Sequence, residues 1–364
     1  MVRPLGGARL KVAMISPYGP AWVGGIARFT MSLSNELRKS GVRVEVFVNQ
    51  GGSKGLVNGL PGPKLVFVLR VVTQLRRYRP HVLHAHAHWH ALLPAVMYKL
   101  FHHDVKLVFT VHTPPRQPTR PRSWILKKLM ARCDVVTGVS WDIVRWLSQT
   151  LPKGSRVERV SPGGTILSGS YHESRHELLL PDSSFVAAFV GPLYWPEKVA
   201  GVKLLARSFD HFAKLVPDSK LFIVGGGPHL DEVRKFVANL HAGPQIVLVG
   251  EARDPAKYVQ ACDVYTHVSY MEGLPLSVLD AMFAAKAIIA SNVGDIPEIV
   301  KSGESGILVA NKEREIVAAL WSMSSNPAAR DRLGKTGRHL ILGSYTWEKV
   351  ARTFLEYYRG TVTP

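Results

Sequence analysis

Short apolar runs and stretches of helical spacing alternate along almost the whole chain. Residues 9–16, 42–48, 82–86, 106–111, 134–139 and 156–160 are apolar runs of strand length, and a second series follows at 185–190, 220–224, 245–249, 263–268 and 287–290. Several intervening segments carry apolar residues at helical intervals. The clearest, residues 26–39, is followed by Gly41, a good helix stop. Apolar strand runs separated by helices predict βαβ units and parallel sheets, hence an α/β fold. Residues 50–63 are rich in Gly and predict a loop, and residues 347–359 predict a last helix. A chain of 364 residues is long for one core, and the polar stretch 168–184 separates the two strand series. Two domains are therefore expected, residues 1–170 and 171–345.

One octapeptide occurs twice. Cys-Asp-Val-Val-Thr-Gly-Val-Ser at 133–140 matches Cys-Asp-Val-Tyr-Thr-His-Val-Ser at 262–269 in six of eight positions. Each copy follows a helical segment and precedes another, so the reading is one equivalent strand in two Rossmann-like domains. Ligands of such sheets bind beyond the strand C-termini, and two facing domains would hold their substrates in a cleft.

The most informative stretch is 269–309. The run ending at Val268 leads into Ser269-x-x-Glu272-Gly273-Leu274-Pro275, and a helical pattern opens at Leu276 with Asp280 one turn in. Free N–H groups at a helix start suit phosphate oxygens. Carboxylates on either side of that start, Glu272 and Asp280, can accept hydrogen bonds from sugar hydroxyls. This chemistry fits a nucleotide diphosphate that carries a sugar.

These residues resemble the donor-binding motif of the family 4 retaining glycosyltransferases, two-domain enzymes of the GT-B fold. The family pattern is Ser-x-x-Glu-Gly-x-Pro with a second acid eight residues after the first, then Gly-Gly-x-x-Glu-x-Val. This chain departs from it at Asp280, where Glu is usual, at Asp295 after Gly294, and at Ala285 and Ala287, where Gly and Pro are usual. The resemblance implies a donor site formed by Glu272, Gly273, Leu274, Pro275, Leu276 and Asp280, with Glu272 positioning the sugar and Asp280 holding the ribose. It also implies that Lys198 neutralises the diphosphate. The Arg that usually shares this task is replaced by Pro192, which brings neither charge nor an N–H. Gly226 and Gly227, after a strand, resemble the family's nucleotide-side loop, although any tight turn can use Gly. The turn from Gly250 to Arg253 stands where the family holds the base.

In the first half, Gly24 and Gly25 are similar to the family's glycine loop near the donor phosphates and the acceptor. His112 occupies the place of a histidine that orients sugar or acceptor, a place that a structural histidine would also fit. The resemblance further implies metal-independent transfer with no obligatory cofactor, and a last helix, 346–364, that crosses back onto the first domain. His81, His84, His86, His88 and His90 invite a metal reading, but no Cys or carboxylate lies near them in sequence, and the family has His-Ala-His here without metal. No metal site is expected.

Charge changes the picture of the acceptor. Residues 1–170 hold 25 Lys and Arg against 6 Asp and Glu, whereas residues 171–364 hold 21 of each, so the whole formal charge of +19 lies in the first half. Such asymmetry points to a polyanionic partner. The acid-free segment 116–132 carries Arg116, Arg120, Arg122, Lys127 and Lys128 with Trp124 among them, and Arg70, Arg76, Arg77 and Arg79 add a second basic stretch. A basic amphipathic helix with a Trp can rest on an anionic membrane, and it can equally be a core-facing helix with a solvated side. No nucleic-acid motif accompanies the charge, so nucleic acid is not an expected partner. No apolar run reaches membrane-span length, the first residues lack a signal core, and Cys133 and Cys262 have no metal-ligand spacing. A cytoplasmic enzyme, peripheral at the inner face of the membrane, is expected. Its acceptor, a glycan or a lipid-linked molecule, would be anionic or lipid-linked. A non-catalytic binder of sugar nucleotides or polyanions, and a nucleotide-sugar epimerase on the same fold, are the alternatives.

Overall fold

A computed structural model describes residues 9–22, 24–113 and 121–360, with backbone alone for 121–123. The chain forms two compact units. The first comprises Met1–Gly163 with Trp347–Pro364, the second Gly164–Thr346.

Unit 1 is built on seven strands: β1 (Lys11–Tyr18), β2 (Arg43–Gln50), β3 (Val57–Gly59), β4 (Val82–His86), β5 (Lys106–Val111), β6 (Val135–Gly138) and β7 (Val157–Arg159). They form one parallel sheet in the order β3-β2-β1-β4-β5-β6-β7. Connections leave β1 toward β2 and leave β4 toward β5, so the topological switch point lies between β1 and β4. All five residues of β4 are buried, as a strand covered by helices on both faces must be. On one face, helices Lys64–Tyr78, Trp89–Lys99 and Pro121–Met130 pack side by side. Helices Gly25–Lys39 and Trp347–Arg359 pack together, with Phe29 set edge-on against Trp347 at 5.3 Å and Phe354 at 6.3 Å.

Unit 2 holds β8 (Phe185–Val190), β9 (Ser219–Val224), β10 (Ile246–Gly250), β11 (Val264–His267), β12 (Ala287–Ser291) and β13 (Gly306–Val309), again parallel, in the order β10-β9-β8-β11-β12-β13. The strand period of two divides its residues between two cores. Phe185, Ala187, Phe189 and Ile289 face one core, and Val186, Ala188, Tyr265 and Ile288 face the other. The switch point lies between β8 and β11.

Two short strands escape the sequence pattern. β3 lies inside the glycine-rich stretch read as a loop, and at three residues it is too short to show a period. β13 lies within the donor motif. The contacts also place residues 164–170 in unit 2, earlier than the expected division. Gly164 N–H donates to Tyr345 O at 2.8 Å, Thr165 N–H donates to Asp280 Oδ1 at 2.9 Å, and Gln260 Nε2 donates to Gly169 O at 3.0 Å. A capping box of Ser170 and Glu173 then opens helix Tyr171–Glu177, whose buried Arg175 pairs with Asp263 at 3.3 Å and donates to Ser184 O at 2.8 Å.

The repeated octapeptide does not mark equivalent strands. β11 lies beside the first strand of its sheet, whereas β6 is separated from β1 by β4 and β5. The two copies share a local construction instead. Asp134 Oδ2 accepts Leu107 N–H at 2.6 Å and Asp263 Oδ2 accepts Val186 N–H at 2.8 Å, so each Asp ties the start of its strand to the neighbouring strand. Cys133 and Cys262 each donate to a carbonyl of the preceding helix, Leu129 and Val259. Ser140 Oγ accepts from Ile143 N–H, and Ser269 Oγ from Met271 N–H, both at 3.4 Å. Burial raises both thiols, Cys262 to about 12, so neither is a reactive thiolate.

Candidate active site

The loops leaving β8 and β11, either side of the switch point in unit 2, bring together two sequence-predicted residues, Lys198 and Glu272. Lys198 is the third residue of helix Pro196–Leu215, and Glu272 follows β11. Both are nearly buried, and Lys198 Nζ pairs with Glu272 Oε1. His267 Nε2 lies 3.0 Å from the same oxygen, its ring stacked on Phe189 at 5.4 Å. Both partners thus converge on Oε1, and Oε2 has no partner among the described residues. Burial alone would raise the Glu272 pKa, but the Lys198 charge and the His267 contacts hold it well below the usual carboxylate range. Burial, then Lys198, lowers His267, so a neutral imidazole supports the carboxylate.

Glycines permit this approach. A Cβ on Gly201 would stand 2.3 Å from Val268 O, so only Gly lets helix Pro196–Leu215 lie so close to the end of β11. Gly294, at φ +57°, sits where a Cβ would be 2.1 Å from Glu272 O. Asp295 N–H donates to Gly273 O at 3.1 Å, so the Gly-to-Asp departure retains a backbone contact with the motif turn. Ser269 N–H donates to Ser291 Oγ at 3.0 Å, and Asn311 Nδ2 donates to Ser269 O at 2.9 Å, which fixes the start of that turn. Leu274 is buried in the core, and Pro275 caps helix Leu276–Phe283.

Other predicted residues lie elsewhere. Asp280 is buried on that helix and engages the Thr165 backbone, so at least one of its oxygens serves the fold. Gly226 and Gly227 leave room for protein. A Cβ on Gly227 would lie 2.6 Å from Leu193 O, one on Gly226 would lie 3.2 Å from Glu251 Cβ, and Leu193 N–H donates to Gly226 O at 2.8 Å. Contacts within the protein therefore already favour Gly at both positions. Pro192 lies within the same packed segment.

In unit 1, Gly24 is the N-cap and Gly25 the first residue of the helix after β1, at the switch point of that sheet. His112 Nε2 lies 3.3 Å from His86 Nδ1, with Phe29 edge-on at 5.0 Å. His84 uses both ring nitrogens, on Tyr358 Oη at 2.6 Å and Thr110 Oγ1 at 2.7 Å. Burial is the main cause that lowers His84, His90 and His112 to about 3, so these rings are neutral at physiological pH. Among the described residues no group of three or more His, Cys, Asp or Glu could hold a metal ion.

Of the basic segment, only 121–130 is described as a helix. Arg116 and Arg120 lie outside the described residues, as does the Arg122 side chain. Trp124 is exposed beneath Lys128, whose Nζ lies 3.8 Å from the ring, and Lys127 is half-buried. His267, Ser291 and Asn311 escape the sequence reading. A histidine inside an otherwise apolar strand run is the signal that could have exposed the first of them.

The profile described as glycosyl transferases group 1 matches residues 170–340, and that described as glycosyltransferase family 4 matches residues 23–163. The chain is 26% identical to the alpha-maltose-1-phosphate synthase of Mycolicibacterium smegmatis over 96% of its own length and 99% of that protein. It is 23% identical to the N-acetyl-alpha-D-glucosaminyl L-malate synthase of Bacillus anthracis over 86% and 82%. Among solved structures, sucrose-phosphate synthase from Thermosynechococcus elongatus superposes with a TM-score of 0.81 at 21% identity, covering 97% of this chain and 99% of that one. Anabaena HepE in complex with UDP and glucose superposes with a TM-score of 0.81 at 16% identity, covering 96% and 99%.

Removing Lys198 strands a buried carboxylate. Lys198→Met is expected to lower stability by about 3–5 kcal/mol at pH 7. The loss should be smaller at pH 5, because a Glu272 without its cation titrates upward and escapes by taking a proton. Adding Glu272→Gln should restore most of the loss. Urea unfolding of the three proteins at both pH values checks this; equal losses at the two pH values, with no rescue, would contradict it.

Proposed function

Because this chain belongs to the family 4 glycosyltransferases of the GT-B fold, which transfer sugars from nucleotide sugars, we propose that it moves a hexose from a nucleotide diphosphate sugar with retention of anomeric configuration. The observation that carries the reading is the Lys198–Glu272–His267 cluster between β8 and β11, where a parallel sheet of this order binds its ligands. An ammonium has three N–H donors. Lys198 can keep Glu272 with one and offer another to a phosphate oxygen, countering the charge that grows as the diphosphate departs. Glu272 Oε2 then accepts from a hydroxyl of the transferred sugar, while His267 holds Oε1 in place. Pro192 removes the usual second cation, so the N–H groups at the start of helix Leu276–Phe283 share the diphosphate with Lys198. Asp280 accepts from the ribose while holding Thr165, and neutral His112, in unit 1 with Gly24 and Gly25, orients the acceptor. This assigns the donor to unit 2 and the acceptor to unit 1.

The acceptor proposed is anionic or lipid-linked, reached from an anionic membrane surface on the cytoplasmic side. Unit 1 carries 28 Lys and Arg against 8 Asp and Glu, and unit 2 carries 18 against 19. Helix Lys64–Tyr78 contains no acid. It buries Phe67, Val71 and Leu75 while leaving Leu65 and Leu69 65% and 63% exposed beside Arg70, Arg76 and Arg77. Apolar side chains set among cations, with Trp124 and Lys128 on the helix beyond Trp89–Lys99 on the same face, suit an interface of lipid headgroups. No helix among the described residues is long and apolar enough to cross a membrane.

Retention can be read without the natural acceptor. Slow hydrolysis of an α-linked nucleotide sugar, followed by proton NMR, is expected to show the α-anomer of the free sugar before mutarotation. The β-anomer appearing first would refute retention.

Membrane attachment is tested by sedimenting the full chain with vesicles. We expect binding to phosphatidylglycerol vesicles that falls steeply as salt screens the charge and that drops in the triple variant Arg70→Glu, Arg76→Glu, Arg77→Glu. Equal binding to neutral phosphatidylcholine vesicles would contradict the reading.

A further inference from the structure

Strand register sets the histidines of β4 against residues of β5. In this parallel pair His84 lies opposite Val108 and His86 opposite Thr110. Alternate residues of a strand share a sheet face, so His84, His86, Thr110 and, just past the end of β5, His112 point to one side. Each histidine of β4 bonds the residue two places beyond its opposite. His84 Nε2 lies 2.7 Å from Thr110 Oγ1, and His86 Nδ1 lies 3.3 Å from His112 Nε2. Phe29 and Tyr358, from helices Gly25–Lys39 and Trp347–Arg359, reach the same face. Phe29 lies 6.0 Å from the His86 ring, and Tyr358 Oη lies 2.6 Å from His84 Nδ1.

The bond between His86 and His112 decides which nitrogen of His112 carries its proton. Burial keeps both rings neutral, so each has one N–H and one bare nitrogen. His86 is fully buried, and its Nε2 has no hydrogen-bond partner among the described residues. His84, whose ring lies 4.2 Å away, already uses both of its own nitrogens. If His112 donated to His86, then His86 would carry its proton on Nε2, where nothing receives it. If His86 donates instead, only a lone pair is left in the core. Folded chains leave buried N–H groups orphaned less often than buried acceptors. The bond therefore runs from His86 Nδ1–H to His112 Nε2, and the proton of His112 sits on Nδ1.

Nδ1 of His112 has no partner among the described residues, and His112, unlike His86, is only half-buried. It stands on the sheet edge where ligands of parallel sheets bind. We propose that His86 is a positioning residue that fixes His112 as an Nδ1–H donor, so that His112 meets an oxygen of its ligand as a hydrogen-bond donor and not as a base. With Nε2 engaged and Nδ1 protonated, the ring keeps no lone pair for a ligand's proton. A hydroxyl, carboxylate or phosphate oxygen can accept from it, whereas an ammonium has nothing to accept with. The proposal deepens the reading of His112 as a ligand-orienting residue and rests on it.

Nitrogen NMR of the full chain carrying isotope-labelled histidine tests the assignment, because protonated and bare imidazole nitrogens resonate far apart. The His112 signals are identified by their loss in His112→Asn. The wild type is expected to show His112 with a protonated Nδ1 and a bare Nε2, the reverse of the form usual in a free imidazole. His86→Leu removes the donor, and His112 should revert to the Nε2–H form. His86→Asn offers an amide N–H in place of Nδ1–H and should restore the Nδ1–H form. A merely structural His86 would change stability without producing this pattern. The wild-type spectrum needs no change at His86, so the assignment stays testable if His86→Leu folds poorly. A wild type with the His112 proton on Nε2, or a folded His86→Leu that keeps it on Nδ1, would overturn the proposal. UDP affinity, measured by calorimetry on the wild type, reports on the donor reading alone. Its absence would sink that reading and leave the tautomer result standing.

Discussion

Lys198 and Glu272 are a cation and an anion held together almost without water, and much of unit 2 is shaped by that meeting. Removing both charges from solvent costs several kcal/mol per ion, which their attraction offsets only with good geometry and further hydrogen bonds. His267 supplies one such contact, and the stacked Phe189 holds the imidazole. Bringing the two residues together demands a helix lying close to the end of β11, which Gly201 allows, and a loop folded onto Glu272, which Gly294 allows. An apolar pair of similar volume would fold as well. Stability alone therefore does not account for a charged pair at the switch point of a parallel sheet, with one carboxylate oxygen left without a partner among the described residues.

The two units divide the electrostatics. Unit 2 is close to neutral and buries two of its ion pairs, Lys198 with Glu272 and Arg175 with Asp263. Unit 1 is strongly basic at its surface, yet the histidines at the ends of β4 and β5 are kept neutral by burial. A neutral imidazole can donate from one nitrogen and accept at the other, which suits an uncharged hydroxyl. The surface charge acts over longer range and suits whatever carries that hydroxyl.

The sequence made the strand series readable because parallel strands buried on both faces are apolar throughout, and it made Glu272 and Lys198 readable because each occupies a fixed place in a turn or at a helix start. What it concealed were relations between segments distant in sequence. Gly227 looks like a residue that admits a ligand, and the structure shows that it also admits the backbone of Leu193, more than thirty positions away. Asp280 looks like a ribose ligand alone, and its bond to Thr165 connects residues 115 apart. The twin octapeptides share their Asp, Cys and Ser contacts but not their place in the sheet, because local hydrogen bonding is encoded within eight residues and strand order is not.

In the proposed reaction Glu272 reads the sugar while Lys198 reads the diphosphate. Titration calorimetry of the wild type and Glu272→Gln with UDP and with UDP-glucose separates the two. If Glu272 binds the sugar, the wild type holds UDP-glucose more tightly than UDP, and Glu272→Gln keeps its UDP affinity but loses about 1.5–3 kcal/mol of that difference, the contribution of a hydrogen bond to a charged group. A variant that discriminates UDP-glucose from UDP as well as the wild type does would contradict the account.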